Sequence, residues 1–454
     1  MKLYQHQEEA LKQSEGKNHV AYYHDCGLGK TFTGSEKLVQ LGEKINLVVC
    51  QKSKVQDWID HFKQNYLNYS VCGNNHDGNC SNCDYESDNC EAFQIAHMCV
   101  FDLTDHKEMK EFFRPMYTWY DRKVGIINYD LIWRRPELYK LHDFTLMLDE
   151  SSLIQNEHSK RSDFILGMDP KNVILLSGTP TGGKYENLWS QMHLLGWNIS
   201  KELFLKQYVE MEWNEDSDGN RYSAVVGYKN VDRLKRKMAE HGCQFLKTEE
   251  VIDLPEQNFC KLYVPTSTEY RKFRKDKIIT IDDTTLVGDT SLTKLLCERM
   301  LCGMYSADKL TAFKDLLEST NDRLLVFYNF TFELQKMMII CAGLDKPMSF
   351  VNGFEKNLTN YEQCDDSVTF VQYQSGAYGL NLQKANKIIY FTPTLSCEQW
   401  MQSLKRIHRI GQNRPCFYYQ LICKDSREER IYSALANGVD YTDELFRMDE
   451  ENEA

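Results

Sequence analysis

The residues with the clearest chemical meaning lie at 24–31, where the sequence reads HDCGLGKT. The residues before them, 19–23, are mostly apolar and predict a strand, and residues 32–41 predict a helix. A strand, a glycine-rich turn and a helix N-terminus together make a phosphate cradle, because the N–H groups of the first helical turn point at the anion. This arrangement predicts a phosphate-binding loop.

Individual residues of this loop have separate roles in the prediction. Gly27 and Gly29 let the backbone come close to the phosphates, and Lys30 can reach the terminal phosphates. The hydroxyl group of Thr31 can hold Mg²⁺, so the predicted ligand is ATP with Mg²⁺. The first glycine of the strict pattern is absent, because His24 occupies its place and would crowd the loop. A Gly-Lys-Thr triplet also occurs in ordinary loops, so the prediction depends on a second site downstream.

Two carboxylates, Asp149 and Glu150, supply the second half of such a site. They end an apolar run, residues 146–148, as expected for a strand whose carboxyl end faces a ligand. Asp149 can hold the Mg²⁺, and Glu150 can orient and polarise the attacking water. The alternative is a strand followed by a helix cap, because the two serines that come next are good caps. Residues 177–180, Ser-Gly-Thr-Pro, follow the next apolar strand and either sense the nucleotide or form only a turn.

Two arginines in the second half of the chain can neutralise charge during phosphoryl transfer. Arg406 and Arg409 lie three residues apart within residues 402–412, which at helical spacing puts them on one face. Two guanidinium groups presented together suit a charge-rich transition state, in the manner of arginine fingers. The alternative is a solvated basic helix face, which is the more frequent meaning of such a cluster.

The composition is that of a globular protein. Charged residues make up 26% and hydrophobic residues 42% of the 454 residues. No apolar run approaches the roughly 20 residues needed to span a bilayer, and the N-terminal residues are too polar for a signal peptide. We therefore expect a cytoplasmic protein with no membrane partner, whose 16 cysteines stay reduced. The net charge of −12 neither indicates nor excludes nucleic-acid binding, because an acidic tail contributes to it.

The apolar segments fall into two series, which predicts two α/β lobes with parallel sheets covered by helices. The first series is 20–23, 46–50, 124–128, 145–148 and 173–176, and the second is 261–264, 324–328, 368–373, 387–391 and 417–422. We place the first lobe at 1–200, a polar connector or protrusion at 201–255, the second lobe at 256–436 and the acidic tail at 437–454. Two such lobes can close on a nucleotide and open again, which is the physical basis of a motor.

A cysteine-rich insertion interrupts the first lobe at about 70–100. Its central pair, Cys80 and Cys83, has Cys-x-x-Cys spacing, and Cys72 and Cys90 can complete a four-sulfur tetrahedral set, with His76 or His97 as substitutes. Clustered thiols in a reducing compartment more often bind zinc than form disulfides, and the short polar segment has little core of its own. We predict a Zn²⁺ site, with free, unliganded cysteines as the alternative.

The motifs in this order resemble the superfamily-two helicase-like ATPases, and the SWI/SNF-type DNA translocases most closely. Residues 24–31, 149–152 and 176–180 resemble their motifs I, II and III. The motif VI segment, residues 402–412, contains His-Arg-Ile-Gly-Gln, which is characteristic of the SWI/SNF group. Further segments resemble the Q motif and motifs Ia, Ib, IV and V, at 3–7, 48–58, 125–130, 323–328 and 374–382 respectively.

The resemblance implies a fold, a nucleotide site and DNA contacts. The implied fold is two RecA-like parallel-sheet lobes that form a nucleotide cleft, with a brace helix at 427–435. The implied catalytic residues are Lys30, Asp149, Glu150, Arg406 and Arg409. The residues implied to bind the nucleotide are Gln7, Gly27, Leu28, Gly29, Lys30, Thr31 and Gln402. The residues implied to contact DNA are Ser53, Lys54, Asn128, Asn329, Ser375 and Gly376.

The resemblance also implies an ATPase that tracks along duplex DNA without separating its strands. We therefore predict DNA-stimulated ATP hydrolysis and translocation by a minimal monomeric motor of phage or bacterial type, with a protein partner left open. Two alternatives stay open: a strand-separating helicase on DNA or RNA, and a nucleotide-gated binding protein without motor activity. Motif II reads Asp-Glu-Ser-Ser rather than Asp-Glu-Ala-His, which keeps both catalytic carboxylates but removes the last residue's usual coupling contact.

Overall fold

A computed structural model describes residues 3–25, 27–66, 98–114, 122–181, 184–215, 221–251, 253–281, 284–376, 380–442, 445–446 and 448–450. The chain divides into two compact units. The first is Met1–Asp25 with Gly29–Lys247, and the second is Cys26–Leu28 with Thr248–Ala454. Across the ranges just given, no helix is both long enough and apolar enough to cross a lipid bilayer.

The first unit is built on a parallel sheet. Its described strands are β1 (His19–His24), β2 (Ile45–Cys50), β3 (Met98–Asp102), β4 (Arg122–Asn128), β5 (Phe144–Asp149), β6 (Asn172–Leu176), β7 (Val209–Glu215), β8 (Arg221–Tyr228) and β9 (Cys243–Leu246). Seven of them form the sheet in the order β3-β4-β2-β5-β6-β1-β9, and every pairing in it is parallel. Strands β7 and β8 form a separate antiparallel hairpin. The predicted first α/β lobe is confirmed.

Helices cover both faces of this sheet. They are α1 (Gln5–Gln13), α2 (Lys30–Leu41), α3 (Val55–Tyr66), α4 (His106–Phe112), α5 (Tyr129–Ile132), α6 (Lys160–Leu166), α7 (Trp189–Leu194), α8 (Lys201–Tyr208) and α9 (Val231–Glu240), with short 3-10 helices at Lys52–Lys54, Pro136–Lys140, Ser151–Ile154 and Tyr185–Leu188. Successive residues of β1 enter opposite clusters: Val20 belongs to the cluster that contains Phe62 of α3, and Ala21 belongs to the cluster that contains Met192 of α7. Burial on both faces explains why the strands are almost continuously apolar.

The segment expected to be a connector, 201–255, differs from the prediction. Strand β9 pairs with β1 over its whole length and adds an edge strand to the first sheet. Helices α8 and α9 contribute buried side chains to the core of the same unit. The first unit therefore extends to Lys247 rather than to about residue 200, because the chain returns to its first sheet before it leaves this unit.

The second unit has a sheet of the same kind. Its described strands are β10 (Gln257–Val264), β11 (Ile278–Ile281), β12 (Thr284–Val287), β13 (Leu324–Tyr328), β14 (Met348–Val351), β15 (Lys356–Asn357), β16 (Val368–Gln372), β17 (Lys387–Tyr390) and β18 (Cys416–Cys423). Seven of them lie in the order β10-β18-β17-β13-β16-β14-β15, parallel except at β15. Strands β11 and β12 form a hairpin. The second predicted parallel-sheet lobe is thereby confirmed.

Eight helices are described in the second unit. They are α10 (Thr268–Asp276), α11 (Ser291–Met304), α12 (Ala307–Glu318), α13 (Thr331–Gly343), α14 (Thr359–Gln363), α15 (Tyr373–Gly376), α16 (Cys397–Leu404) and α17 (Arg427–Ala436), with a 3-10 helix at Thr248–Glu250. The implied brace helix corresponds to α17, whose Ile431, Tyr432 and Leu435 are buried in the core of this unit. A fully buried ion pair, Lys309 with Glu428, joins α12 to α17 at 2.6 Å.

Part of the expected acidic tail, 437–454, packs against the second unit. Phe446 is 1% exposed, and the Arg427 guanidinium lies 4.6 Å from the centre of its ring. Arg427 also forms ion pairs with Asp449, at 3.7 Å, and with Glu450. Because Arg427 is itself almost fully buried, its charge needs carboxylate partners, and the acidic residues supply them.

A buried carboxyl group, Glu333 near the start of α13, makes the stability of the second unit depend on pH. Its Oε2 atom accepts hydrogen bonds from the N–H groups of Asn329 (3.1 Å) and Phe330 (3.3 Å) and from the Thr392 hydroxyl (3.0 Å). Burial raises the pKa of Glu333 to about 7, against these hydrogen bonds and the charge of Lys309, which lower it. The group therefore titrates near neutral pH when folded, above the ordinary pKa of 4.5.

We predict that Glu333→Gln flattens the pH dependence of the free energy of unfolding. Between about pH 4.5 and 7 the folded chain keeps a proton on Glu333 that the unfolded chain releases, so wild-type stability falls as the pH rises. The wild type should lose about 2 to 3 kcal/mol relative to the variant between about pH 5 and about pH 8. The glutamine oxygen accepts the same hydrogen bonds without ionising. Urea unfolding of both proteins measures this loss, and a pH-independent difference would contradict it.

Candidate functional site

The predicted phosphate loop lies between the carboxyl end of β1 and the start of α2. Gly27 has a φ of 98° and Gly29 a φ of 73°, a left-handed backbone that glycine adopts without strain. Gly29 is the N-cap residue of α2, so the helix-start N–H groups of Lys30 and Thr31 lie at the loop. The side chain of Leu28 is fully buried, which leaves its backbone to reach a ligand. This loop fits a phosphate group.

Two side chains, Lys30 and Gln7, contact the backbone of the loop. The Lys30 ammonium group donates hydrogen bonds to the carbonyl oxygens of His24 (2.8 Å) and Asp25 (3.3 Å). The Gln7 side-chain Nε2 donates to the carbonyl oxygen of Gly29 (3.1 Å). A Cβ atom at Gly29 would collide with this Gln7 amide. The structure therefore places Gln7, implied by the Q motif, directly against the loop.

The side chain of His24 does not crowd the loop, contrary to the expectation. His24 is the last residue of β1, is 1% exposed, and packs edge-on against Tyr22 with ring centres 5.4 Å apart. Burial lowers the pKa of His24 to about 3, so the ring is neutral. The expectation was wrong because side chains alternate along a strand, and His24 shares the buried face of Tyr22.

The predicted Mg²⁺ ligand, Asp149, ends β5 and is held by a tryptophan. Trp58 Nε1 donates to Asp149 Oδ2 at 2.9 Å, although the two residues are 91 positions apart. Burial raises the pKa of Asp149, while the Trp58 hydrogen bond and the charges of Lys54 and Lys30 lower it. Thr31 and the second oxygen of Asp149 would hold Mg²⁺. The sequence identified Trp58 only as part of motif Ia. The available signal for this contact was that Trp58 follows β2, because β2 is the neighbour of β5, the strand that ends at Asp149.

The residue predicted to orient water, Glu150, has a strained backbone, with φ 56° and ψ 62°. Such a conformation costs on the order of 1–3 kcal/mol outside glycine and persists where the surroundings hold it. The Ser177 hydroxyl donates to Glu150 Oε2 at 3.5 Å, and the Tyr129 hydroxyl donates to the Asp149 carbonyl at 3.0 Å. No side-chain cap bond forms at the start of the 3-10 helix Ser151–Ile154, so the helix-cap alternative is not supported.

The predicted residues of the first unit lie along one edge of the sheet, because each follows the carboxyl end of a parallel strand. The nucleotide residues follow β5, β6 and β1, which are neighbours. The residues implied to contact DNA follow the next two strands: Asn128 ends β4, and Ser53 and Lys54 follow β2. Ser53 is exposed, Asn128 is buried, and Lys54 pairs with Asp57 at 2.7 Å. The sheet order therefore places the two sets side by side.

In the second unit, the implied DNA contacts follow two neighbouring strands. Asn329 comes after β13, while Ser375 and Gly376 lie in α15 after β16. The amide Nδ2 of Asn329 donates to Thr392 Oγ1 (2.9 Å) and to the Pro393 carbonyl (3.0 Å). Phosphate oxygens need donors, and this donor is already used, so we reassign the Asn329 side chain to positioning the strand-end loop.

The two arginines of the motif VI segment are not on a helix, which corrects the sequence argument. Helix α16 ends at Leu404, and residues 405–409 form turns and bends. Both guanidinium groups nevertheless converge, because Nη1 of Arg406 and Nη1 of Arg409 donate to the Leu380 carbonyl at 3.0 and 3.1 Å. Arg406 is 3% exposed and Arg409 is partly buried, so the solvated-face alternative does not describe them.

Other residues of the motif VI segment are engaged within the second unit. His408 Nε2 bonds to the carbonyl oxygen of Pro255 at 2.9 Å, and Gln412 donates to a backbone carbonyl at 2.8 Å. Gln402, implied to bind the nucleotide, is 1% exposed and donates to Glu398 at 3.1 Å. These contacts fix the backbone that carries the two arginines.

One sequence prediction lies outside the described residues, namely the zinc ligands Cys72, Cys80, Cys83 and Cys90. The Zn²⁺ site therefore stays a prediction. Within the part of the chain that the structure describes, one cluster combines ligand-type groups: Cys302, Cys423 and Glu428. Both Glu428 oxygens already bind the Lys309 ammonium, at 2.6 and 2.7 Å, so we assign no metal there.

Comparison with known proteins shows a family match over most of the chain. Residues 11–315, more than half of the sequence, match the family model of the SNF2-related domain. The chain is 23% identical over 346 residues to the Mus musculus SWI/SNF-related matrix-associated actin-dependent regulator of chromatin subfamily A member 1, which covers 68% of this chain and 32% of that protein. It is 22% identical over 369 residues to the ISWI chromatin-remodeling complex ATPase ISW1 of Saccharomyces cerevisiae. This similarity covers 72% of this chain and 32% of that protein. The chain thus spans about a third of the length of these curated relatives.

Among solved structures, the chain is similar to the SWI2/SNF2 ATPase core of Sulfolobus solfataricus in complex with dsDNA. That similarity has a TM-score of 0.41 and 18% identity, and covers 98% of this chain and 92% of that one. The family match contains the phosphate loop, both carboxylates and the turn after β6. On that match, this chain belongs to the SNF2-related domain family, of SWI/SNF type.

Proposed function

We propose that this chain is an ATP-driven translocase that moves along double-stranded DNA without separating its strands. The observation that carries the proposal is the order of the first sheet, in which nucleotide residues follow β5, β6 and β1 and candidate DNA residues follow β4 and β2. Contacts to phosphates supply affinity and register but no base sequence, as tracking along any duplex requires. The names of both curated relatives refer to chromatin, which supports a DNA substrate.

The chemical step follows from the placement of the site residues. Lys30 would exchange its bonds to the neutral loop carbonyls for stronger bonds to the negatively charged terminal phosphates. Glu150 would orient and polarise the attacking water. Arg406 and Arg409 would neutralise charge on the transferring group. Thr31 and Asp149 would hold Mg²⁺, which neutralises phosphate charge when bound.

A physical link joins the nucleotide residues to the candidate DNA residues. Trp58 bonds to Asp149, and it lies in the first turn of α3. That helix begins immediately after Lys54, the last residue of the 3-10 helix that also contains Ser53. A change in the position of Asp149 during turnover would therefore pass through Trp58 to the candidate DNA residues, Ser53 and Lys54.

A steady-state ATPase assay tests the proposed substrate. We expect duplex DNA to stimulate hydrolysis several-fold and to do so more than single-stranded DNA or RNA of equal length. We also expect displacement of a third strand from a triplex, without unwinding of a tailed duplex. Lys30→Ala serves as the control without turnover.

Each other outcome of this assay supports a different function. Unwinding of the tailed duplex would favour the strand-separating helicase. Stimulation by RNA above duplex DNA would favour an RNA motor. Binding of duplex DNA that depends on ATP, with neither stimulation nor displacement, would favour the nucleotide-gated binding protein and reject the translocase.

A further inference from the structure

A buried glutamine in α7, Gln191, connects three segments of the nucleotide site. Its side chain is fully buried, and all three of its hydrogen bonds cross to different parts of the first unit. The Oε1 atom accepts from the hydroxyl groups of Tyr23 (3.0 Å) and Ser151 (2.7 Å). The Nε2 atom donates to the carbonyl oxygen of Pro180 at 2.7 Å. One side chain thereby bridges β1, the segment after β5 and the turn after β6.

The three partners of Gln191 lie close in sequence to the residues of the chemical step. Tyr23 precedes the last residue of β1, after which the phosphate loop begins. Ser151 immediately follows Glu150. Pro180 belongs to the turn whose Ser177 hydroxyl donates to Glu150 Oε2 at 3.5 Å. The amide therefore connects the residue after the strained Glu150 to the strand that carries the loop and to the turn that contacts the Glu150 side chain.

In the Asp-Glu-Ala-His pattern, the position of Ser151 is occupied by alanine, which has no hydroxyl group. The hydrogen bond from Ser151 to Gln191 depends on that hydroxyl group. This chain thus has a contact in motif II that its resemblance to the family does not imply. Through Gln191, the contact joins motif II to Pro180 in the turn after β6. The last residue of motif II in this chain is Ser152, at the position where the pattern has a histidine. Buried polar networks of this kind specify one geometry only when every member is satisfied, as it is here.

We propose that Gln191 is a positioning residue for ATP hydrolysis, which sets the distance between Glu150 and the phosphate loop. The proposal rests on the role of Glu150 under the proposed function. A displacement of about 1 Å at a reacting group can cost on the order of 100-fold in rate, even when the change lies away from the chemistry. Loss of the bridge should therefore slow the chemical step while the loop still binds nucleotide.

The variant Gln191→Leu tests this role, because it keeps the approximate volume and removes all three hydrogen bonds. We expect kcat for ATP hydrolysis to fall about 10- to 100-fold, with the KM for ATP within about threefold of the wild type. A residue that only fills the core would change the thermal unfolding temperature without changing kcat. An unchanged kcat in folded Gln191→Leu protein would overturn the proposal.

A matched control comes from Gln244 in β9 of the same sheet. Its Nε2 also donates to a backbone carbonyl, that of Ala10, at 3.0 Å. Gln244→Leu removes a side-chain hydrogen bond from the same sheet and should leave kcat unchanged. A fall in kcat of equal size in this control would show that general loosening of the sheet is responsible, which would also overturn the proposal.

A second variant, Ser151→Ala, keeps the proposal testable if Gln191→Leu does not fold. It removes one of the three bonds, so we expect kcat to fall a few-fold with the KM for ATP unchanged. In a chain that carries both Gln191→Leu and Ser151→Ala, the two losses in kcat should not multiply, because both substitutions remove the same bridge. An unchanged kcat in Ser151→Ala would count against the bridge. Full turnover in Glu150→Gln would instead reject the role of Glu150, so the two failures are distinguishable.

Discussion

Replacing Glu150 with glutamine is expected to lower kcat for ATP hydrolysis about 10²- to 10⁴-fold, because the amide cannot polarise the attacking water as a carboxylate does. The substitution preserves size, and the left-handed backbone at this position, φ 56°, burdens both residues equally. Binding of ATP should therefore persist, with an affinity close to that of the wild type. A steady-state ATPase assay and a fluorescent-nucleotide titration measure the two quantities.

The control for Glu150→Gln is Glu157→Gln. Glu157 is a mostly buried carboxylate a few residues further along the same segment, where it forms an ion pair with Lys201. The same chemical change there should leave kcat near the wild-type value. Retention of more than about a tenth of the activity by Glu150→Gln would show that another group acts on the water.

Replacing Arg409 with alanine should lower kcat at least about 10³-fold, the contribution that an arginine finger makes to phosphoryl transfer. Arg409 suits this role because Nη1 donates to the Leu380 carbonyl, which fixes the side chain, while the residue is less deeply buried than Arg406. Arg409→Lys should recover only part of the rate, because an ammonium group lacks the planar fork. The rate of ATP hydrolysis at saturating ATP and DNA checks both variants.

Arg414→Ala is the matched control for Arg409→Ala. Arg414 also donates to a backbone carbonyl, that of Lys384, at 3.0 Å, and pairs with Asp322 on the surface of the second unit. Its removal subtracts the same charge from the same unit and should change kcat less than about twofold. A loss of only a few-fold in Arg409→Ala would mean that its guanidinium does not act on the phosphates.

Most strands of both sheets were predictable, and β9 shows one physical reason why a strand is missed. Strands β5 and β13 are buried on both faces, so each is an apolar run that stands out from its surroundings. Strand β9 has only four residues, and its Phe245 is 53% exposed, so it has no apolar run to detect. Its place at the sheet edge arises from pairing with β1, far away in sequence.

The motif VI segment shows the same division between local pattern and packing. The spacing of Arg406 and Arg409 predicted a shared helical face, but α16 ends at Leu404 and turns follow. What brings the two guanidinium groups together is the carbonyl oxygen of Leu380, from a different segment of the second unit. Residue types therefore identified two arginines that do converge, but their spacing predicted the wrong local geometry, because helix length depends on contacts that a local pattern does not contain.

The chemistry of the nucleotide site is local and can be read from the chain. A phosphate loop needs glycines that tolerate a left-handed backbone next to a helix start, and these are neighbours in sequence, as are the two carboxylates at the end of β5. The contacts that hold those groups in place are distant: Trp58 and Asp149 are 91 positions apart, and Tyr23 and Gln191 are 168 apart. Such partners become neighbours only when the crossover helices set the order of the strands, which is why folding was needed to reveal them.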